Sequence, residues 1–271
     1  MVTLCFGFFC LFLGGEYHIN AHIVRNNKFI QDSSKNKFDQ MLSSYIGKIY
    51  KEIAGKGPEN VCVAFGDGCY VVYIKNYFMP YEKIIQQNGD KELLDKVMHV
   101  ATKSLNAQIV QYTEIITGVS TEETYYDWNI ENGSRVLVGI SNRQFQISSS
   151  VKSGYYGEQL LHKELIRLGH FADSIPETIN SFCLNSKFFI FERGGGTTRL
   201  EKEMELTGYG NVIKNTKRQI EKQYLNSNLC IKNILDMEVI DTFIDWNFNK
   251  NKSIVVLVKS TSDLKMMRNL S

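Results

Sequence analysis

The chain has 271 residues, of which 43% are apolar and 22% are charged, with a formal net charge of +2. These values are typical of a globular protein and exclude an intrinsically disordered chain. The length suits two domains of ordinary size, and the balanced charge gives no reason to expect a nucleic-acid partner.

The first feature along the chain is an apolar run from Val2 to Leu13. It is too short to span a hydrocarbon core as a helix, and no Lys or Arg precedes it. Three interpretations stay open: an atypical export signal or membrane-associating tail, a true translation start further on, near Val24, or a buried segment. Residues 1–36 therefore form a leader of open status. We expect a cytoplasmic protein, associated with a membrane through residues 1–15 if these are translated.

The next hundred residues predict one small α+β domain. Apolar residues at 3-to-4 spacing predict a helix over 38–54, and β-branched and aromatic runs at 60–65 and 69–75 predict a hairpin around Gly66-Asp67-Gly68. Pro80 opens a short helix and 90–117 forms a long one, followed by strands at 119–128 and 134–140. The predicted order is α-β-β-α-α-β-β.

The chain then repeats itself. Pro58 recurs as Pro176 and Trp128 as Trp246, both 118 positions later, while a spacing of 119 fits the middle of the repeat better. The second copy predicts helices at 156–171, 198–206 and 211–235, with strands at 178–184, 187–192, 238–247 and 252–259. We therefore predict an α+β fold of two tandem repeats, 37–142 and 155–262, joined by a polar linker at 143–154. Each repeat has a four-stranded antiparallel sheet covered by helices on one face.

The repeated motif Asp127-Trp128-Asn129 and Asp245-Trp246-Asn247 is the first candidate site. A carboxylate and an amide at a strand end could bind a ligand or partner. The alternative is structural: the Trp packs in the core or between the copies, while Asp and Asn shape the turn.

A second candidate site is the loop Gly194-Gly195-Gly196, which lies between a strand and a helix, where backbone N–H groups can hold a phosphate. The spacing of established phosphate motifs is not met. Thr198 and Glu201 form a capping-box pattern that explains the segment as a helix start.

The helix at 211–232 carries five cations and one acid, Glu221. An anionic membrane or nucleic acid would suit such a face, but a solvated helix face is the commoner case and the one expected here. The cations are Lys214, Lys217, Arg218, Lys222 and Lys232.

No catalytic residues, metal ligands or cofactors are assigned. The six cysteines show no zinc or disulfide spacing, and no Ser/His/Asp order or catalytic-cysteine signature is present. Whether the protein is an enzyme stays open, with a non-enzymatic role favoured.

Residues 38–141 resemble the MpsC family, named for a Na+-translocating, membrane-potential-generating system, and through the internal repeat residues 156–260 resemble it more loosely. The resemblance is carried by Gly55-Lys56-Gly57-Pro58, the Pro80-x-Glu82 helix start, Ile115-Ile116-Thr117-Gly118-Val119 and the strands around Asp127. Asn76 and Met79 stand where the family has Gly and Thr, and the second copy reads Ala172-Asp173-Ser174-Ile175 before Pro176. The resemblance implies an accessory role linked to ion or membrane energetics, with a membrane ion-translocating complex as the partner, and it supplies no catalytic residues to carry over.

Two functions follow as hypotheses. The first is a non-enzymatic accessory or interaction protein linked to such a system. The second is a small-molecule or nucleotide sensor, with its ligand between the two copies. We also expect the copies to pair within the chain through an apolar face, for which the two Trp residues are candidates.

Overall fold

A computed structural model describes residues 37–66, 68–145, 154–236 and 238–260. The leader at 1–36 and most of the predicted linker lie outside the described residues. None of the described helices is long and apolar enough to cross a bilayer.

The first unit, residues 37–145, begins with helix α1 over 37–54. The elements that follow are β1 (Asn60–Phe65), β2 (Cys69–Lys75), α2 (Pro80–Gln87), α3 (Lys91–Thr117), β3 (Glu123–Asn129) and β4 (Ser134–Ile140). All neighbouring strands are antiparallel, in the order β1-β2-β4-β3.

The second unit, residues 154–260, repeats this arrangement. Its elements are α4 (Glu158–Phe171), β5 (Thr178–Leu184), β6 (Phe188–Gly194), α5 (Arg199–Leu206), α6 (Gly210–Ser227), α7 (Leu229–Leu235), β7 (Val239–Asn247) and β8 (Lys252–Lys259). The strand order β5-β6-β8-β7 matches that of the first unit. The predicted fold class, α+β with two repeat-like units and two four-stranded antiparallel sheets, is confirmed.

The long helix predicted over 211–235 is in fact two helices. Asn228 adopts an extended backbone between α6 and α7, and its side chain accepts a hydrogen bond from the N–H of Cys230. An Asn that caps a new helix start competes with continuation of the old one. The corresponding helix α3 of the first unit runs unbroken.

Each sheet has one face covered by helices. In the first unit, α1 and α3 supply Leu42, Ile46, Leu105 and Ile109 to a core that also holds Trp128. In the second unit, α4, α6 and α7 pack on the sheet around Trp246. Because side chains alternate along a strand, both Trp residues point toward the helices.

The other faces of the two sheets pack against each other. This apolar layer joins Val71, Val136 and Val138 of the first unit to Ile190 and Val256 of the second, and their side chains are buried. The prediction that the two Trp residues lie at this face is wrong, because Tyr125 and Phe243, three positions earlier on each strand, occupy it instead.

The two units share an unusual backbone conformation after their second strands. Asn76 has φ +51° and Gly195, 119 positions later, has φ +86°. Both lie in the left-handed region, which Gly and Asn tolerate best among the residues. Asn76 in the first unit therefore adopts a backbone conformation that Gly adopts in the second.

Candidate functional site: the junction between the two units

Strands β3 and β7 meet at the junction through reciprocal hydrogen bonds. Asp127 accepts the N–H of Ile244 at 2.8 Å, and Asp245 accepts the N–H of Tyr126 at 2.9 Å. The second oxygen of each carboxylate accepts the N–H of the following Trp in its own strand. The repeated Asp therefore makes equivalent bonds in both directions between the units, and both side chains are buried.

Arg218 of helix α6 lies beside the place where β3 and β7 meet. Its guanidinium donates to Asp245 at 2.6 Å, to the carbonyl of Tyr126 at 2.7 Å and to the carbonyl of Ile244 at 2.9 Å. One cation thus binds both units. The neighbouring carboxylates raise the pKa of Arg218 above its ordinary value despite its burial.

Lys222, one helical turn later, completes the contact. Its ammonium lies 2.6 Å from Asp127 and donates to the carbonyl of Trp128 at 3.0 Å. Its side chain is about 20% exposed, so this pair is only partly shielded from water.

Two further groups of contacts join the units, one at each end of the region where β3 and β7 meet, and they differ in chemistry. At one end, Asp241 of the second unit accepts hydrogen bonds from four side chains of the first unit: Tyr73, Asn129, Asn132 and Ser134. At the other end, Glu123 pairs with Lys250 at 3.1 Å and Lys252 at 3.6 Å. At the first end a carboxylate is bonded by neutral donors in a largely buried setting, whereas the second end is a more exposed set of ion pairs.

A polar cleft opens at this junction, with a volume of about 320 Å³. Its walls come from both units: Asp95, the strand end and turn from Asp127 to Glu131, and Asn215, Arg218, Gln219, Lys222 and Asn226 of α6. The cleft therefore includes all of the first predicted motif, Asp127-Trp128-Asn129.

His99 lies beside the cleft residues on α3. Its Nδ1 is 3.0 Å from the hydroxyl of Tyr126. Burial lowers the pKa of His99, and the Arg218 cation lowers it further. Burial raises the pKa of Tyr126 to about 12, so both groups are mainly uncharged at neutral pH.

The second copy of the motif is more enclosed. Trp246 is 1% exposed, and its indole N–H donates to Glu221 at 3.1 Å. Asn247 accepts the N–H of Lys250, and Asn129 accepts the N–H groups of Glu131 and Asn132. Both Asn residues shape turns, as the structural alternative expects.

Two backbone donors, one within and one just after the loop Gly194-Gly195-Gly196, bond to the protein itself. The N–H groups of Gly195 and Thr197 donate to Asn251, while Thr198 and Glu201 form the predicted capping box. This hydrogen bonding favours the helix-start interpretation of the loop over phosphate binding.

The expectation of a solvated basic face on the helix at 211–232 is wrong for its central residues. Lys217 and Arg218 are buried, and so is Glu221. Lys217 pairs with Glu201 and lies 4.0 Å from the centre of the Trp246 ring. The cations of this helix mainly serve internal ion pairs.

Sequence reasoning missed a buried guanidinium in each sheet. Arg135 of β4 pairs with Glu82, and Arg193 of β6 pairs with Glu221 at 2.7 Å. Arg135 lies opposite Ile74 on the neighbouring strand, and Arg193 lies opposite Ser253. These two cross-strand pairs occupy equivalent positions in the two units. The Arg lies on the fourth strand of the first unit and on the second strand of the second unit. An Arg within an apolar strand such as SRVLVGI is the sequence signal that could have indicated this.

Within the residues that the structure covers, no group of three or more His, Cys, Asp or Glu side chains could hold a metal ion. The junction cleft therefore offers charged groups, amides and one indole, which are groups that can bind a ligand.

Comparison with known protein families gives a match over the first unit. No curated protein and no solved structure matches the chain. The family model described as Na+-translocating membrane potential-generating system (MpsC) matches residues 34–143. This range includes the whole first unit except its last residues.

Proposed function

We propose that this protein is a non-enzymatic accessory protein of a Na+-translocating, membrane-potential-generating system. The observation that carries the proposal is the match of residues 34–143 to MpsC. The architecture is compatible with such a role, since the junction residues Asp127, Arg218 and Asp245 are engaged in holding the two units together. In this proposal a membrane ion-translocating complex is the partner.

We also propose that the second unit is a divergent MpsC-like copy and that the units act as an intramolecular pair. Three observations support this: the 118-residue recurrence of the Asp-Trp-Asn motif, the shared strand order, and the reciprocal bonds of Asp127 and Asp245. A duplicated chain can reproduce a two-fold dimer of single units.

The test of the accessory role is a deletion in the native host. Membrane potential is measured with a voltage-sensitive dye, with and without external Na+. We expect deletion to remove the Na+-dependent part of the potential and the full-length chain to restore it. Glu92→Gln, at an exposed position of α3, is the control variant that should also restore it. An unchanged Na+-dependent potential after deletion would refute the role.

A second candidate function is small-molecule sensing at the junction cleft. The observation that favours it is a cleft of about 320 Å³ with walls from both units, at the lower end of the range for small-ligand sites. A ligand bound there would touch both units at once and so could alter the way they pack.

Thermal-shift screening tests this second candidate, since a ligand that binds the folded state raises the melting temperature. Asn226→Trp, at an exposed residue lining the cleft, should fill it and abolish the shift. A nucleotide and metabolite library that shifts neither protein, or shifts both equally, would count against a ligand in the cleft.

A further inference from the structure

The charges that line the junction cleft do not balance. Its ionisable side chains are three carboxylates, Asp95, Asp127 and Glu131, and two cations, Arg218 and Lys222. Lys222 lies 2.6 Å from Asp127, and Arg218 lies 2.6 Å from Asp245, which is next to the cleft. Both cations are therefore engaged, and acidic groups remain in excess.

Asp95 and Glu131 are the two cleft carboxylates without an ion pair, and Asp95 is the less exposed of the two. It projects from α3, is half-buried, and has no Lys, Arg or His nitrogen within 4 Å among the residues that the structure describes. Burial raises its pKa above the ordinary value, outweighing the Arg218 charge and a hydrogen bond from Trp128. The fold thus partly desolvates this carboxylate without giving it an ion pair of its own.

The wall beside Asp95 is aromatic. Trp128 stacks on Tyr126 with ring centres 6.3 Å apart, and the Arg218 guanidinium carbon lies 5.4 Å from the Trp128 ring centre. An indole face attracts cations through its quadrupole. Asn226 and Gln219 add amide groups able to meet a hydroxyl or a second polar group.

The internal repeat gives an independent comparison. The position 119 residues after Asp95 is Lys214, and its ammonium lies 5.9 Å from the ring centre of Phe248. The second unit therefore carries an ammonium of its own beside an aromatic ring at the place where the first unit has an unpaired acid.

We propose that the junction cleft binds a small organic cation bearing an ammonium group. The ammonium pairs with the Asp95 carboxylate and lies along the Trp128 wall, while the cleft amides bind the polar remainder of the ligand. This inference rests on the second candidate function and adds the ligand class to it.

Isothermal titration calorimetry of the full-length protein tests the proposal. The probes are choline, putrescine, 3,3-dimethyl-1-butanol, which is the neutral isostere of choline, and acetate. We expect saturable binding of at least one cation, and affinity weaker by about tenfold or more for the neutral isostere, since a charge-assisted contact is lost. Acetate should not bind.

Asp95→Asn and Glu92→Gln form the matched pair of variants, since both remove one carboxylate from the first turns of α3. Asp95→Asn should weaken cation binding about tenfold, whereas Glu92→Gln should leave it unchanged. Loss of binding in Asp95→Asn would not reflect misfolding, because removing a desolvated charge should keep or raise the melting temperature at pH 7.

Equal binding of choline and its neutral isostere, equal binding by Asp95→Asn, or no binding of either cation would overturn the proposal. The thermal-shift screen separates this failure from that of the cleft itself. A neutral or anionic compound that stabilises the wild type and not Asn226→Trp would retain the cleft as a ligand site while excluding the cation.

Discussion

Replacing Arg218 by Met should destabilise the protein by about 3–5 kcal/mol, the usual effect of removing one partner from a buried ion pair. The guanidinium donates to Asp245 and to the carbonyls of Tyr126 and Ile244. Its side chain is only 7% exposed, so water cannot replace these bonds. Met retains most of the apolar stem, which leaves the lost charge and hydrogen bonds as the main change.

Two Lys→Met variants, at more exposed ion pairs, serve as comparisons for the loss of stability in Arg218→Met. Lys222 is about 20% exposed, and its partner Asp127 keeps Arg218 at 3.6 Å, so Lys222→Met should cost clearly less than Arg218→Met. Lys250 is 47% exposed, and Glu123 keeps Lys252, so Lys250→Met should change stability by about 1 kcal/mol or less.

Urea unfolding followed by circular dichroism measures all three variants, with the slope m compared as well as the midpoint. The reasoning is refuted if Arg218→Met loses less than about 1 kcal/mol, or if Lys250→Met loses as much. A decrease in m for Arg218→Met would mean that the two units no longer unfold together.

The other predictions concern three sites in the first unit. Trp128→Ala should cost about 3 kcal/mol in urea unfolding because the ring is buried in the helix-side core; a loss well under 1 kcal/mol would contradict this burial. His99 has a lowered pKa in the folded state, so the unfolded chain takes up its proton first and stability should fall as the pH drops through about 6.5. His99→Gln should flatten the urea midpoint across that window, and an unchanged slope would exclude His99 as the cause. Asn76→Val should lower the melting temperature while Asn76→Gly should not, because φ at this position is +51°; equal melting temperatures would contradict a left-handed requirement.

Much of the fold could be predicted because its signals are local. The hairpin of β1 and β2 follows from two β-branched runs around a Gly-rich turn, and the start of α5 follows from the Thr198–Glu201 capping box. The break at Asn228 was missed because an apolar 3-to-4 pattern continues through it. Whether an Asn caps a new helix or lies within an old one depends on packing.

The candidate site was only partly predictable. The recurrence of Asp-Trp-Asn identified residues that lie at the junction, but the interpretation of the Trp residues as its apolar contacts was wrong. Side chains alternate between the two faces of β3 and of β7 as expected. Because both faces of each sheet are apolar, the sequence does not tell which face packs on the helices and which packs on the other sheet. The buried charges were missed for a related reason, since Arg135 and Glu82 are 53 residues apart and only the fold brings them together.

The sequence by itself determined the duplication, the order of helices and strands, and the resemblance of the first unit to MpsC, because periodicity, turn residues and repeats are written along the chain. Only the tertiary structure decided that Asp127 and Asp245 bond across the two units, that Arg218 is a buried link between them, and that Asp95 is left without a cation in the cleft. Those properties depend on distances between residues far apart in the chain and on the exclusion of water around them, and both arise only when the two sheets pack face to face.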